Sequence, residues 1–438
     1  MAISIGFINL GCPKNQIDSE VMQSLLSDKG YTLTDKLNQA QILVLNTCGF
    51  IQSAKEESIE QIAELIKFKG KNKKLIVAGC LAQRYAKALL KGFPQIDGIL
   101  GVNQLGDIGR ACSEVLKGKK YFKPFSKTNN NNWVKTKRLK QRPPYAYIKI
   151  ADGCNNNCSY CAIPKIRGKY RSKPLETILK EAKELVSCGV KEINLIAQDT
   201  TLYGIDLYGK KQLPLLLSRL SKIPKLRWIR LLYTHPAHFT DELISQMASN
   251  DKICKYVDLP LQHISDRILY DMNRKVNAGK IFSLIENLRN RIPDLTLRTS
   301  FIVGFPGESK KEFEQLLDFV GKARFERLGA FVYSREEGTK AYRLKNQLSV
   351  KTKLERLDEL MTAQQQICFE ENNKKIGKKI EVLVESKENG YWVGRSQAEA
   401  PEVDNVIYIK NKNVKAGDFA KVRIVNSCVY DLIARLGR

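Results

Sequence analysis

The sequence has few of the features that would place it in a membrane or outside the cell. No stretch is long and apolar enough to span a bilayer, and the N-terminus lacks the charged start and the length of a signal peptide. Histidine is scarce, with 3 residues among 438, whereas cysteine occurs 11 times. We therefore expect a cytoplasmic protein whose reduced thiols serve metal binding and not disulfides.

Acidic residues are also in deficit: 46 Asp and Glu stand against 73 Lys and Arg, for a net charge of +27. Residues 119–142 hold nine basic residues, no acidic residue and four consecutive asparagines. The charge indicates work near an anionic polymer, most simply RNA or the ribosome, although a general lysine bias would give the same balance. We expect residues 119–144 to form a basic linker that contacts rRNA.

The apolar pattern predicts an α/β protein with three domains. Residues 1–118 alternate strand-like and helical patterns, which predicts a parallel sheet with crossover helices. Residues 145–374 contain six strand-like runs and end in a helix, which predicts an open (β/α)6 barrel. Residues 375–438 have short strands with Gly and Asn turns and predict a small OB-like β-barrel. The six runs of the second domain are Tyr147–Ala151, Ile193–Ala197, Trp228–Tyr233, Tyr256–Leu261, Leu297–Val303 and Gly329–Tyr333.

Three cysteines of the second domain are spaced to bind one metal centre but lack a fourth protein ligand. Cys154, Cys158 and Cys161 lie in the run Cys-Asn-Asn-Asn-Cys-Ser-Tyr-Cys, whereas a cubane iron–sulfur cluster usually takes four cysteines. Three thiolates leave one iron open to a ligand such as S-adenosylmethionine (SAM). A zinc site usually adds a second pair of Cys or His, and none follows nearby. The spacing therefore favours an iron–sulfur cluster over zinc.

Three more cysteines, Cys12, Cys48 and Cys80, each come after a predicted strand of the first domain. Loops that follow parallel strands open on one edge of the sheet, so the three thiolates would meet there. Cysteine is also a common buried residue at strand ends, but three such positions favour a second cluster. Neighbouring glycines permit close backbone approach: Gly11, Gly49 and Gly79. The other cysteines stand singly and are interpreted as packing residues: Cys112, Cys188, Cys254, Cys368 and Cys428.

Several motifs spread over nearly the whole chain resemble the radical SAM methylthiotransferases. Besides the central cysteine loop they are Cys-Pro-Lys-Asn (12–15), Asn-Thr-Cys-Gly-Phe-Ile (46–51), Gly-Cys-Leu-Ala-Gln-Arg-Tyr (79–85), Arg-Leu-Leu-Tyr-Thr-His-Pro (230–236), Leu-Pro-Leu-Gln-His (259–263), Arg-Thr-Ser-Phe-Ile-Val-Gly-Phe-Pro-Gly-Glu (298–308) and Tyr-Ser-Arg-Glu-Glu-Gly-Thr (333–339). The resemblance implies an N-terminal iron–sulfur domain, a radical SAM barrel and a C-terminal TRAM barrel.

One branch of that family modifies an adenosine in tRNA, and another, usually called RimO, modifies a ribosomal protein. The run Gly-Cys-Pro-Lys-Asn (11–15), the segment 198–206 and the segment 395–404 are similar to the ribosomal-protein branch. A departure is Asn405, where a glycine usually follows Asp404. The acidic residues of 395–404 form a loop that we expect to suit a basic ribosomal protein better than RNA.

The resemblance implies methylthiolation of the β-carbon of an aspartate in the twelfth protein of the small ribosomal subunit. It implies two [4Fe-4S] clusters, one on Cys154, Cys158 and Cys161 and the other on the N-terminal triad. The first would bind SAM and cleave it to a radical that abstracts hydrogen, and the second would hold the sulfur. The cofactors break the bonds, while the protein orients the reactants and excludes water. No catalytic residue is assigned beyond the cluster ligands.

Five further residues are candidates for the SAM pocket. Tyr160 lies between two cluster cysteines, where the superfamily pattern has an aromatic residue near the adenine; packing is the alternative role. Gln198 and Asp199 lie at the C-terminal end of a barrel strand, where such barrels keep their ligands. Gln262 and Arg298 are weaker candidates of the same kind. The histidines are interpreted as hydrogen-bonding residues and not zinc ligands: His235, His238 and His263.

Two other functions remain open on the residues alone. A tRNA adenosine methylthiotransferase would use the same clusters and the same chemistry on a different acceptor. A ribosome- or RNA-binding protein could instead carry clusters that are structural or sense redox state, although closed coordination would serve that role better. An electron-transfer ferredoxin predicts sites of four cysteines, which the sequence does not contain.

Overall fold

The computed structural model describes residues 3–123, 144–410 and 413–437. Most of the predicted basic linker, residues 124–143, lies outside the described residues. Among the described helices, none is long and apolar enough to cross a membrane. The α/β fold class is confirmed, and each of the three architectures is present.

The N-terminal unit is a six-stranded parallel sheet in the order β2-β1-β3-β4-β5-β6. Its strands are β1 (Ser4–Asn9), β2 (Thr32–Leu33), β3 (Ile42–Thr47), β4 (Lys74–Gly79), β5 (Gly98–Leu100) and β6 (Tyr121–Phe122). Its helices are α1 (Pro13–Ser27), α2 (Gln52–Lys69), α3 (Cys80–Gly92) and α4 (Ile108–Leu116). Strands β3 and β4 are almost wholly buried because helices cover both faces of the sheet, as expected for crossover connections.

The central unit is a second parallel sheet whose six main strands follow one another in sequence order, from β7 at one edge to β14 at the other. The strands are β7 (Tyr145–Lys149), β8 (Ala151–Asp152), β9 (Arg171–Ser172), β10 (Glu192–Ile196), β11 (Trp228–Leu231), β12 (Ile253–Asp258), β13 (Thr296–Val303) and β14 (Arg327–Val332). The helices are α5 (Ile163–Arg167), α6 (Leu175–Ser187), α7 (Ile205–Tyr208), α8 (Leu213–Ser221), α9 (Asp241–Ser249), α10 (Asp266–Asp271), α11 (Ala278–Arg291), α12 (Lys310–Ala323) and α13 (Val350–Asn373). Because β7 and β14 do not pair with each other among the described residues, the barrel is open.

The C-terminal unit is a closed five-stranded barrel in the order β15-β16-β17-β19-β18. Its strands are β15 (Lys379–Glu388), β16 (Tyr391–Arg395), β17 (Ile407–Ile409), β18 (Phe419–Ser427) and β19 (Leu432–Leu436). An apolar cluster joins all three units, since Ile17 of α1 packs with Tyr147 and Trp228 of the open barrel and with Leu383 and Ala400 of the closed one.

Two of the three carboxylates of the acidic loop face inward, contrary to the expectation that the loop meets a partner, whereas Glu402 is exposed and accepts from Tyr145 at 2.9 Å. The Glu399 carboxylate accepts from Arg327 at 2.9 Å and is 1% exposed. Asp404 accepts from Tyr256 at 2.6 Å and from Arg298 at 3.3 Å. These carboxylates are therefore used to dock the loop against strands β12 to β14, and they do not offer free negative charge.

Candidate functional site

The N-terminal cysteines meet at one edge of the first sheet. Cys12 precedes α1 as its N-cap, Cys48 follows β3 directly, and Cys80 is the first residue of α3 after β4. The loops approach so closely that a Cβ atom on Gly49 would lie 2.7 Å from the backbone of Leu81. The sheet order β1-β3-β4 thus brings together three thiols that are far apart in sequence.

Asn15 holds the three cysteine loops in place. Its Nδ2 donates to the carbonyls of Leu10 at 3.2 Å and Thr47 at 3.0 Å, the residues that flank Cys12 and Cys48. Its Oδ1 lies 3.5 Å from the Sγ of Cys80 and accepts from Arg167 at 2.8 Å. One buried amide therefore contacts all three loops.

A buried ionic network connects this triad to the open barrel. Arg167, which is 1% exposed, contacts the Sγ of Cys80 at 3.7 Å and pairs with Asp18 at 3.0 Å and Asp152 at 3.2 Å. Lys149 pairs with the same two carboxylates at 2.5 and 3.1 Å. Although burial opposes ionisation, Arg167 and Lys149 hold the pKa of Asp152 below its usual value. Two cations thus balance two carboxylates at the domain junction.

Neighbouring charges give the three N-terminal thiols different pKa values. Burial raises the pKa of Cys80 to about 12 and also raises that of Cys48. Burial acts on Cys12 in the same direction, but Lys14 and Arg167 outweigh it and lower the pKa of that thiol. Burial lowers the pKa of Lys14 to about 8, and the neighbouring Cys12 opposes that shift.

The central triad is held on one continuous loop after β8. Cys154 donates its N–H to the carbonyl of Gly168 at 3.1 Å, and Asn156 donates to the carboxylate of Asp199 at 2.8 Å. Arg274 lies with one Nη 3.7 Å from the Sγ of Cys158 and with the other 2.5 Å from the carbonyl of Pro260. Burial raises the pKa of Cys154 to about 11 and raises that of Cys161 as well, so a metal centre that binds these thiols has to displace their protons.

No three thiols in the described part of the chain are close enough together to bind a single ion as they stand. Among the described residues, neither triad has its three Sγ atoms all within 4.8 Å of one another. A single zinc ion with bonds of about 2.3 Å would draw tetrahedral thiolates to about 3.8 Å apart. Each site offers three thiols and a nearby guanidinium that can donate to cluster sulfur, which fits a three-cysteine iron–sulfur cluster.

The other predicted pocket residues occupy different surroundings. Tyr160 packs against Met272 and Phe305, and burial together with Cys158 raises the pKa of its hydroxyl. Gln262 has a left-handed backbone (φ 76°) and exchanges backbone hydrogen bonds with β13. Arg298 pairs with Asp258 at 3.0 Å and with Asp404 at 3.3 Å, so its guanidinium lies between the end of β12 and the C-terminal loop.

Gln198 and Asp199 follow β10 and bond to different partners. The Nε2 of Gln198 donates to Asp152 at 3.2 Å, which extends the network of Arg167 to the end of β10. Asp199 is 1% exposed and binds Asn156, the hydroxyl of Thr201 at 2.5 Å and the Nδ1 of His238 at 2.8 Å. Asp199 therefore anchors the central cysteine loop.

Two histidines complete the surroundings of Asp199. The rings of His235 and His238 stack with their centroids 4.6 Å apart, and the ligand atoms of Asp199, His235 and His238 all lie within 4.8 Å of one another. Burial and the charge of Arg274 lower the pKa of His235, so its imidazole is neutral. The hydrogen bond of His238 to Asp199 agrees with the interpretation of these residues as hydrogen-bonding groups.

The sequence reasoning did not single out Asn15, Arg167 or Arg274. Asn15 stands inside the Cys-Pro-Lys-Asn motif, so its position beside a ligand was an available signal. Arg167 and Arg274 stand alone in helical or turn segments, and nothing in their local pattern indicates a contact with a thiol.

Comparison with known sequences assigns a family description to each unit. Residues 148–320 match the radical SAM superfamily, residues 4–101 match the uncharacterized protein family UPF0004, and residues 376–436 match the TRAM domain.

Curated relatives cover nearly the whole chain. The protein named ribosomal protein uS12 methylthiotransferase RimO from Thermoanaerobacter sp. (strain X514) is 49% identical over 98% of this chain and 99% of its own length. The protein of the same name from Desulforamulus reducens is also 49% identical, over 99% of this chain and 100% of its own length. The protein of that name from Clostridioides difficile is 46% identical over 98% of both chains.

Solved structures share the fold at low sequence identity. The radical SAM methyltransferase TsrM from Kitasatospora setae, with cobalamin and a [4Fe-4S] cluster bound, matches with a TM-score of 0.55 and 13% identity over 90% of this chain and 81% of its own. The cobalamin-dependent radical enzyme OxsB matches with a TM-score of 0.52 and 11% identity over 84% of this chain and 56% of its own.

Proposed function

The chain belongs to the family of ribosomal protein uS12 methylthiotransferases, and we propose that it inserts a methylthio group at the β-carbon of an aspartate of uS12. It is a radical SAM enzyme of the transferase class. The observation that carries the proposal is the presence of two separate three-thiol sites, with a hydrogen-bond network that runs from Cys80 through Arg167 and Asp152 to Gln198, the residue before Asp199.

The six cysteines are proposed as ligands of two [4Fe-4S] clusters, Cys12, Cys48 and Cys80 for one and Cys154, Cys158 and Cys161 for the other. When bound, the clusters and SAM supply the radical that breaks an unactivated C–H bond and the sulfur that replaces the hydrogen. The site residues of the chain orient these groups. Asn15 fixes the loops of the first triad, and Asp199 fixes the loop of the second through Asn156.

The network between the triads keeps their relative position constant. Arg167 contacts a thiol of the first triad, and Gln198 lies at the strand end that also carries Asp199, the anchor of the second. Because Asp18 of the N-terminal unit is buried and pairs with Lys149 and Arg167 of the open barrel, a movement of one unit would break ion pairs in a low-dielectric interior. Tyr160, Gln198, Asp199, Gln262 and Arg298 remain proposed SAM-pocket residues, and Arg298 has the least direct support because its partners are Asp258 and Asp404.

The wider context of the reaction is also proposed. We place it in the cytoplasm, where uS12 is made, with uS12 as the protein substrate and rRNA contacted through the basic linker at 119–144. The residues of that linker carry charge of one sign, which suits a phosphate backbone. The inward-facing carboxylates of Glu399 and Asp404 do not contribute to partner recognition.

The test is anaerobic turnover of the iron–sulfur-reconstituted protein with SAM and a reductant. A peptide from the aspartate loop of uS12 is offered in one reaction and an unmodified tRNA anticodon stem-loop in another, with mass spectrometry of both. We expect a methylthio gain on the peptide alone. A gain on the RNA alone would assign the protein to tRNA modification, and no gain with 5′-deoxyadenosine still formed would show that the acceptor is wrong.

A further inference from the structure

Lys14 differs from the other buried cations of the protein. Eight Lys and Arg residues are buried in the part of the chain that the structure describes. Six of them pair with a carboxylate: Lys149, Arg167, Lys173, Arg230, Arg327 and Arg395. A seventh, Arg274, donates to a carbonyl and contacts a thiol. Lys14, 7% exposed, has no carboxylate within ion-pair distance among the described residues.

The contact that Lys14 does make is too weak to balance its burial. Its Nζ lies 3.1 Å from the centroid of the Tyr233 ring. A single cation–π contact is weaker than the cost of burying an ion. Two carboxylates near enough to influence Lys14, Asp152 and Asp258, are already bonded, the first to Lys149 and Arg167 and the second to Arg298. The charged group that remains beside Lys14 is the thiol of Cys12, a proposed cluster ligand, so a carboxylate that pairs with the ammonium must come from outside the described residues.

The position of Lys14 points to the identity of that anion. Lys14 lies in the first turn of α1, two residues after Cys12, and the Tyr233 ring beneath it belongs to the segment that follows β11. The same segment carries His235, which reaches Asp199 and through it the loop of Cys154. Lys14 thus lies where the first triad faces the end of the open barrel that holds the second.

We infer that the Lys14 ammonium binds the side-chain carboxylate of the aspartate that receives the methylthio group. This inference rests on the proposed function. The carboxylate carbon of an aspartate is bonded directly to its β-carbon, so a cation that fixes the carboxylate fixes the reacting carbon one bond away. An adenine acceptor has no carboxylate, so Lys14 also selects between acceptors by charge.

A second role for the same cation is to stabilise negative charge on the Cys12 site whatever the substrate. The two roles differ in one measurable respect. A residue that binds the substrate carboxylate acts only on a substrate that carries it, whereas a residue that stabilises the cluster affects charged and uncharged substrates equally.

The experiment compares purified unmodified uS12 with a variant whose target aspartate is replaced by asparagine. Both are titrated by fluorescence anisotropy, under anaerobic conditions and without SAM, into the cluster-loaded full chain. The proteins are wild type, Lys14→Met, Lys14→Arg and, as a control, Lys36→Met at an exposed lysine. Iron content and 5′-deoxyadenosine formation are measured for each protein, and mass spectrometry records methylthiolation by the wild type.

We expect the wild type and Lys36→Met to bind the aspartate form about ten- to a hundredfold more tightly than the asparagine form, the range of a hydrogen bond to a charged group. Lys14→Met should lose that preference while its affinity for the asparagine form stays within about threefold, and Lys14→Arg should retain part of it. The inference would be overturned if Lys14→Met kept the preference for the aspartate form, or if it lost affinity for both forms equally. It would also be overturned if the wild type showed no preference. Absence of methylthiolation by the wild type would instead overturn the proposed function.

Discussion

The two cysteine triads reach similar chemistry by different structural routes. Cys154, Cys158 and Cys161 lie on a single loop of eight residues, anchored by Asn156 to Asp199. Cys12, Cys48 and Cys80 come from three loops that only the order of the sheet brings together, and Asn15 contacts all three. The continuous triad depends on local sequence, whereas the distributed triad depends on the whole N-terminal fold.

The triads also differ in their charged neighbours. Arg167 beside Cys80 belongs to a buried network with Asp18, Asp152 and Lys149 that crosses a domain junction. Arg274 beside Cys158 has no carboxylate partner among the described residues and donates to a main-chain carbonyl. A disturbance of the first site should therefore propagate into the barrel, while a disturbance of the second should stay local.

The largest expected effect separates the roles of the two triads. Cys158→Ala should abolish reductive cleavage of SAM, because it removes one of three ligands from the site with an open position. Cys80→Ala should leave SAM cleavage measurable and abolish methylthiolation. Liquid chromatography with mass spectrometry of 5′-deoxyadenosine and of the substrate peptide checks both, with Cys188→Ala at an exposed cysteine as the control. Loss of SAM cleavage in Cys80→Ala would contradict the assignment of SAM cleavage to the second triad alone.

The second prediction compares how much stability the metal-free protein loses when Arg167 or Arg274 is replaced. Arg167→Met leaves Asp18 and Asp152 with Lys149 alone, and breaking such a buried network should lower the free energy of unfolding by about 3–5 kcal/mol. Arg274→Met leaves a neutral carbonyl and a thiol, for a loss of about 1–3 kcal/mol. Urea unfolding followed by circular dichroism measures both losses, and the exposed Arg343→Met should change stability by less than about 0.5 kcal/mol. Equal losses for the two buried arginines would argue against the network.

The contrast between the triads also explains what could be predicted from the sequence. The central triad could be proposed from the sequence because its cysteines are close together along the chain. The distributed triad could be proposed because each of its cysteines follows an apolar strand. The helix expected at the end of residues 145–374 is α13, which spans Val350–Asn373. Strand β19 was not expected, because its pairing with β17 depends on closure of the barrel.

Side-chain partners distant in sequence were beyond such reasoning. The acidic loop was assigned to a partner protein because the sequence does not show that Arg327 and Arg298 lie against Glu399 and Asp404. Arg167 was not predicted for the same reason, since Asp18 and Cys80 come from the N-terminal domain and Arg167 from the open barrel. Patterns along the chain report periodicity and spacing, and they do not report which buried charges meet.

A third prediction compares the two asparagines that hold the cysteine loops. Asn15→Ala removes hydrogen bonds to Leu10, Thr47 and Arg167 and should reduce iron loading at the first triad severalfold, since each lost bond costs about 1 kcal/mol. Asn156→Ala removes one bond, to Asp199, and should have a smaller effect on the second. Iron content is measured in each variant with the cysteines of the other triad replaced by alanine. A larger loss of iron in Asn156→Ala than in Asn15→Ala would contradict this prediction.

The smallest effect is expected from the basic segment 119–142, which belongs to neither triad. Neutralising its nine charges should weaken association with the small ribosomal subunit and reduce its dependence on salt concentration, while SAM cleavage stays unchanged. Sedimentation of the subunit at several salt concentrations measures the change. Unchanged binding would remove the proposed rRNA contact.

The claim that two triads bind two clusters is tested most directly by iron and sulfide analysis with Mössbauer spectroscopy on three proteins. These are the wild type, a variant with Cys12, Cys48 and Cys80 replaced by alanine, and a variant with Cys154, Cys158 and Cys161 replaced by alanine. We predict that each variant holds one [4Fe-4S] cluster and half the iron of the wild type. A wild type with one cluster, lost completely in either variant, would contradict this account.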